Sequence, residues 1–216
     1  MSTAIRALVG VGALGGVAGG GLLLNNFLST ENIQSKLEAN GFKLLTDSAD
    51  NNAVWQSILT SYRATTNTLK FEGFNGGTTA VSSDTESLNT LKQKCKDLTG
   101  KKVSEDKKNK LYDQAKKWCI VPVSVSKLLE KEYTPLNTNK DDKEADKSIW
   151  TTKISEHKNT GNQKKKITSL KLAEGDRKED EHLTQIKEQC KTIGETENHS
   201  DKFEEYQENY KDWCSK

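Results

Sequence analysis

The sequence predicts a mainly α-helical chain, with an N-terminal transmembrane helix followed by two tandem small helical repeat units. Three observations carry that expectation. An uncharged apolar run opens the chain, every tryptophan and cysteine recurs at one fixed offset, and the remaining apolar residues fall three or four apart rather than alternating.

The opening run extends from Ala7 to Leu24, 18 residues without a charge, between Arg6 and the polar Asn25 and Asn26. That length meets the threshold for a membrane-spanning helix. Gly12, Gly16 and Gly20 recur at spacing four and form a helix-packing face on which a second helix could approach closely, so self-association through the membrane helix is an expectation. A cleaved signal segment fits the same residues, since a basic start, an apolar stretch and small residues such as Ala18 and Gly19 suit a signal peptidase. Residues 1–28 are therefore read as an N-terminal membrane anchor or signal segment. Arg6 favours a cytoplasmic N-terminus, which makes the chain a single-pass cell-membrane protein with residues 29–216 extracellular.

The repeat organises the rest. Trp55, Cys95, Trp118 and Cys119 recur 95 residues later as Trp150, Cys190, Trp213 and Cys214. Val54 with Ile149, Leu59 with Ile154, Leu88 with Leu183, Leu91 with Ile186 and Leu98 with Ile193 keep apolar character at that offset. Upstream, Ser35-Lys36-Leu37, Phe42 and Leu45 match Ser126-Lys127-Leu128, Tyr133 and Leu136 at offset 91, which puts four extra residues before Trp150 in the second copy. The first Trp/Cys repeat spans 35–119 and the second 126–214. Pro122 and Pro135, the two prolines of the chain, mark the stretch between the units.

Within one unit, Val54, Trp55, Ile58, Leu59 and Tyr62 share a helix face, as do Leu88, Leu91, Cys95 and Leu98. Ser83 with Glu86 forms a capping box, Gly100 sits at a helix stop, and a further helix runs through Leu111, Ala115 and Trp118. In the second copy Phe203, Tyr206, Tyr210, Trp213 and Cys214 follow Ser200 as N-cap. The polar stretches Gly73 to Ser83 and Asn159 to Glu181 lack stripes and read as loops. Trp55, Trp118, Trp150 and Trp213 are expected in the repeat cores, because units this small must bury every large apolar side chain.

Outside residues 1–28 the apolar share falls to about 28 %, against a usual ~45–50 %, which excludes a large core. Lys and Arg number 33 and Asp and Glu 31, so no net field gathers nucleic acid, and the lysine runs 107–108 and 164–166 read as solvated faces. Four cysteines outside a membrane suggest disulfides. Three pairings are possible; repeat symmetry favours Cys95 with Cys119 and Cys190 with Cys214. In a tight hairpin of straight helices those partners would stand about 18 Å apart, so the pairing requires Thr99 to Glu105 and Gly194 to Ser200 to run extended and return the last helix parallel to the one before it. No CxxC occurs, and His157, His182 and His199 hold no ligand spacing with the cysteines, so no metal is expected. No phosphate-binding loop, nucleophile elbow or dinucleotide fingerprint is present, so neither catalytic residues nor a cofactor is expected, and the chain is read as no enzyme. His157 stands where the first copy has Tyr62, which reads as a tolerant surface position.

The order of an apolar start, Ser-Lys-Leu with Phe/Tyr-x-x-Leu, a Trp, a Cys and a closing Lys-x-Trp-Cys resembles the large, uncharacterised paralogous families of membrane and surface proteins of the haemotrophic mycoplasmas. The resemblance covers nearly the whole chain. It implies a cell-wall-less bacterium living on blood cells, surface exposure, and paralogues that diversify antigenically; it brings no catalytic residue. The function expected is a membrane-anchored surface protein that meets host cells or plasma proteins. The alternative is a structural envelope protein oligomerising through its glycine-rich membrane helix.

Overall fold

Asn32 starts the first helix by local chemistry: its side-chain oxygen accepts the Ser35 amide at 2.8 Å and caps α1, Ile33–Ala39. In the computed structural model, which describes residues 31–77, 85–159, 161–172 and 178–216, the chain is mainly helical. After α1 come α2 (Asn52–Arg63), α3 (Thr85–Thr99), α4 (Lys110–Trp118), α5 (Val125–Leu129), α6 (Lys147–Lys158), α7 (Glu179–Glu195) and α8 (Phe203–Asn209). A π-helical turn, Tyr210–Cys214, extends α8. No strand occurs among the described residues, only four isolated bridges.

The apolar stripes bury as their spacing requires. Trp55, Ile58, Leu59 and Tyr62 of α2 meet Leu91, Cys95 and Leu98 of α3 in a first cluster that takes in α1 and α4. Trp150, Leu183, Ile186, Cys190, Ile193, Phe203 and Trp213 form a second. Neither cluster is large, in keeping with the low apolar content.

Two pairs of backbone clips tie the helices together. Ile33 N donates to Lys101 O and Val125 N to Thr196 O, both at 2.9 Å; Leu45 N donates to Cys119 O at 2.9 Å and Leu136 N to Cys214 O at 3.0 Å. These clips correct the register read from sequence. Val125 occupies the place of Ile33, and Leu129, not Leu128, that of Leu37: Leu37 is 0 % and Leu129 7 % exposed, while Leu128 is half-buried. The offset is thus 92 through α1 and α5, and drops to 91 at the Leu44–Ile120 and Pro135–Ser215 bridges. The stretch from Leu37 to Leu45 is one residue longer than that from Leu129 to Leu136, and the extra residue falls in the turn where Gly41 takes φ +83°, a left-handed helix exit open to glycine.

Other expectations need correction. α8 starts at Phe203 with Lys202 at its N-cap, and Ser200 instead accepts the Lys202 amide at 3.1 Å. The stretch read as a loop from Asn159 ends earlier, because α7 begins at Glu179; Ile167 and Leu170 within it belong to the second core, at 1 % and 8 % exposed. The transmembrane segment, the glycine face and Ser83 of the capping box lie outside the described residues. Among the described residues, no helix is long and apolar enough to cross a membrane.

Candidate functional site

Each core is built around a tryptophan pair and a disulfide. Trp55, Trp118, Trp150 and Trp213 are all buried, at 2 % exposure or less. A buried indole N–H needs an acceptor. Trp55 Nε1 donates to Thr46 O at 3.0 Å and Trp150 Nε1 to Asn137 O at 3.2 Å; Trp118 Nε1 donates to Leu69 O at 2.7 Å and Trp213 Nε1 to Lys165 O at 2.8 Å. Cys95 is bonded to Cys119 and Cys190 to Cys214, each with Cα atoms 5.3 Å apart. The predicted extended return is not how the distance closes. Between α3 and α4 the chain turns through two short 3₁₀ segments, 103–105 and 107–109, while Lys102 bridges Asn32 and Val103 N donates to Glu31 O at 2.8 Å.

Against Trp118 and against Trp213 stands a ring that staples coil to core. Tyr62 Oη accepts the Phe71 amide at 2.6 Å, donates to Phe74 O at 3.0 Å, and meets the Trp118 ring edge-on at 4.8 Å. His157 does the same from the other core: Nε2 accepts the Ile167 amide at 3.1 Å and the imidazole meets Trp213 edge-on at 5.0 Å. His157 is 6 % exposed, which overturns the reading of a tolerant surface position. Burial pushes its pKa down from the usual histidine range, and the Lys166 charge adds to the effect; burial pushes the Tyr62 phenol up to about 12.

A groove of about 690 Å³ runs between α3 and the chain at 44–47, reaching Trp55, Cys95 and Cys119, with Lys92 and Lys96 along one wall. Lys92 is ion-paired with Asp47 at 2.6 Å and donates to Asn52 Oδ1 at 3.0 Å. Its counterpart 95 residues on is Lys187, 0 % exposed, whose ammonium donates to Asn139 O at 3.2 Å and to Asp142 O. A buried ammonium persists only where such acceptors replace water. The loop bearing Asn139 and Asp142 is the one lengthened in the second half, and it is held by Asx turns at Asn137 and Asn139. The groove on that side, about 770 Å³, is lined by Thr138 to Asp141, Glu188, Lys191 and neighbours along α7.

The two cores meet through a polar junction that the sequence did not suggest. The Val123 amide donates to Asn198 Oδ1 at 2.8 Å and Asn198 N to Val123 O at 3.0 Å; Asn198 Nδ2 reaches Lys116 O at 2.9 Å and Lys117 O at 3.1 Å. His199 bonds Ser61 Oγ through Nδ1 and Glu197 through Nε2, both at 2.9 Å. Thr66 donates to Asp201 at 2.6 Å, and buried Lys117 donates to Ser200 O at 2.9 Å. Pro122 therefore does not hold the halves apart; the segment after α7 packs against the ends of α2 and α4.

The structure brings the eight predicted Trp and Cys positions into two clusters, and Gly12, Gly16 and Gly20 fall outside the described residues. Among the described residues, no group of three or more His, Cys, Asp or Glu side chains is arranged to hold a metal ion. Lys187, Asn198 and His199 were missed. Only the charge of Lys187 on an otherwise apolar stripe of α7 (Leu183, Ile186, Cys190) could have flagged one of them. No family model, no curated protein and no solved structure matches the chain.

Proposed function

We propose that the chain is an exported surface protein whose outer part is a tandem duplication of a small disulfide-braced helical unit, serving as a scaffold for interaction with host cells or plasma proteins. The observation that carries this reading is the pair of disulfides, each closing a 24-residue separation between a helix interior and a Trp-Cys helix end. Disulfides persist in oxidising compartments, and small domains poor in apolar residues depend on them. The uncharged run before Asn25 supplies a means of export.

The duplication is supported by the recurrence of indole acceptors, clips and disulfides at offsets of 91 to 96, which a single ancestral unit explains more simply than independent origins. Host interaction draws on the sequence resemblance and on the contrast between matched core positions and divergent polar loops, the usual place for recognition residues. The chemistry available is that of a binding surface.

The deciding experiment labels intact cells with antibody to residues 31–216 and, in parallel, measures binding of the purified outer part to erythrocyte membranes and plasma. Labelling of unpermeabilised cells with saturable binding supports the proposal. Labelling only after permeabilisation removes the surface reading, and surface labelling without binding removes the interaction reading.

A further inference from the structure

We infer that the Cys95–Cys119 disulfide is a thiol-reactive modification site, open in the folded protein to low-molecular-weight thiols through the first groove, whereas Cys190–Cys214 is sealed. Both Cys95 and Cys119 line the 690 Å³ groove, together with Leu45, Trp55, Lys92 and Lys96. That volume exceeds the space a small dithiol needs. Cys190 and Cys214 are each 1 % exposed and lie outside the lining of the groove on their own side. The loop that lines the groove on that side is the lengthened one, fastened by Lys187 to the carbonyls of Asn139 and Asp142.

Charge points the same way. The first groove carries Lys92 and Lys96 against Asp47, while the second carries Lys140 and Lys191 against Asp141, Glu188 and Glu195. Exchange is driven by a thiolate, and a positive wall gathers it where a negative wall repels it. The thiolate of the incoming dithiol attacks Cys95 Sγ, the more exposed of the pair at 5 % against 2 %. The Cys95–Cys119 bond breaks and its electron pair leaves on Cys119 Sγ, which takes a proton from water. The second sulfur of the dithiol then displaces Cys95 as a thiol, and the reagent departs as a cyclic disulfide. The protein disulfide is reduced and the dithiol oxidised, two electrons each. This asymmetry is a property of the fold and holds wherever the chain resides.

The test is a pulse of dithiothreitol on the full-length oxidised chain under native conditions, followed by acid quench, alkylation and peptide mapping. Cys95 and Cys119 are expected to be alkylated at least about tenfold faster than Cys190 and Cys214, since access governs exchange. Repeating the pulse in urea below the unfolding transition separates groove access from opening by local unfolding: the first rate stays flat and the second climbs. Lys187→Met, which releases the loop, is expected to raise the second rate toward the first. Should that variant fail to fold, the two rates in the unaltered protein decide alone. Equal rates, the reverse order, or a first rate that climbs with urea as steeply as the second would overturn the inference.

Discussion

Gln114 and Asn209 stand 95 residues apart on the helices that end each core, and only one of them has found a partner. Gln114 is 4 % exposed and its Nε2 donates to Lys70 O at 2.7 Å. Asn209 is 0 % exposed, and neither its Oδ1 nor its Nδ2 has a hydrogen-bond partner among the described residues. The side chain is one methylene shorter than that of Gln114, which makes reach the expected cause, and the Lys166 carbonyl, the positional counterpart of Lys70, is the acceptor a longer side chain is expected to find. Exchanging the two residues converts that methylene into a measurable energy. Gln114→Asn breaks a buried bond and strands its acceptor, a loss of about 1–3 kcal/mol in the first core. Asn209→Gln adds a bond worth about 1 kcal/mol and relieves a buried unpaired amide, offset in part by fitting one more methylene into packed surroundings. Urea unfolding gives each total change, and hydrogen exchange read peptide by peptide assigns it to one core. If Gln114→Asn costs nothing, or Asn209→Gln destabilises as much as Gln114→Asn does, the argument from side-chain reach fails.

Acid is expected to weaken the second core selectively. His157 has a folded pKa below its unfolded value, so the unfolded chain takes up the proton first, and stability present above about pH 6.5 is lost as pH falls toward the folded pKa. Urea melts between about pH 7.5 and 5 should lose this dependence in His157→Gln, and an unchanged pH profile in that variant would refute the assignment. Tyr62 runs the other way: raised to about 12, it supports the first core below about pH 10 and less as pH climbs toward 12, and Tyr62→Phe should flatten that alkaline limb. Replacing Cys95 and Cys119 together by serine releases a loop of about 25 residues and should cost about 3.5 kcal/mol in the chain-entropy model, read from denaturant midpoints under oxidising conditions; midpoints that coincide with those of the unaltered chain would show the bridge to be energetically idle. Asn198→Ala leaves the Val123 amide and two carbonyls without their partner and should cost about 1–3 kcal/mol while exposing 121–124 to protease, and resistance equal to that of the unaltered chain would dismiss the junction as a clamp.

What the sequence disclosed is what periodicity can disclose. The stripes of α2, α3 and α4 came out of three- and four-residue spacing, because one helix face must turn inward in a unit too small to bury both. Phe71, Ile167 and Leu170 were invisible by the same logic, since they enter the cores from coil, where no period marks a face. The one-residue slip between Leu37 and Leu129 escaped because Leu128 is also apolar, and only the backbone clip at Val125 chooses between them. His157 misled for a chemical reason. Exchange of tyrosine for histidine looks like tolerance in a string of letters, yet both side chains present a flat ring to tryptophan and a polar atom to a backbone amide.

The junction follows a different logic from the cores. Inside the cores, the tryptophans and cysteines at matching positions keep one job. At the junction matching residues do not. Asp106 accepts the amides of Leu111 and Tyr112 at 2.7 and 3.0 Å and so caps the start of α4 within its own core, whereas Asp201, 95 residues on, accepts from Thr66 across the junction. Val103, the counterpart of Asn198, makes the same backbone clip, Val103 N to Glu31 O, as Asn198 N makes to Val123 O, but it has no amide side chain with which to hold a neighbour. Lys117, buried against Ser200 and Glu204, is replaced in the second half by Asp212, whose backbone carbonyl instead accepts from Lys153 at 2.7 Å. Asn198 and Lys117, which join the halves, thus have no like counterpart, since Val103 and Asp212 stand at the matching positions, while Asp106 and Asp201 are the same residue turned to different partners, so the junction rests on side chains particular to one half and not on the pattern the cores share.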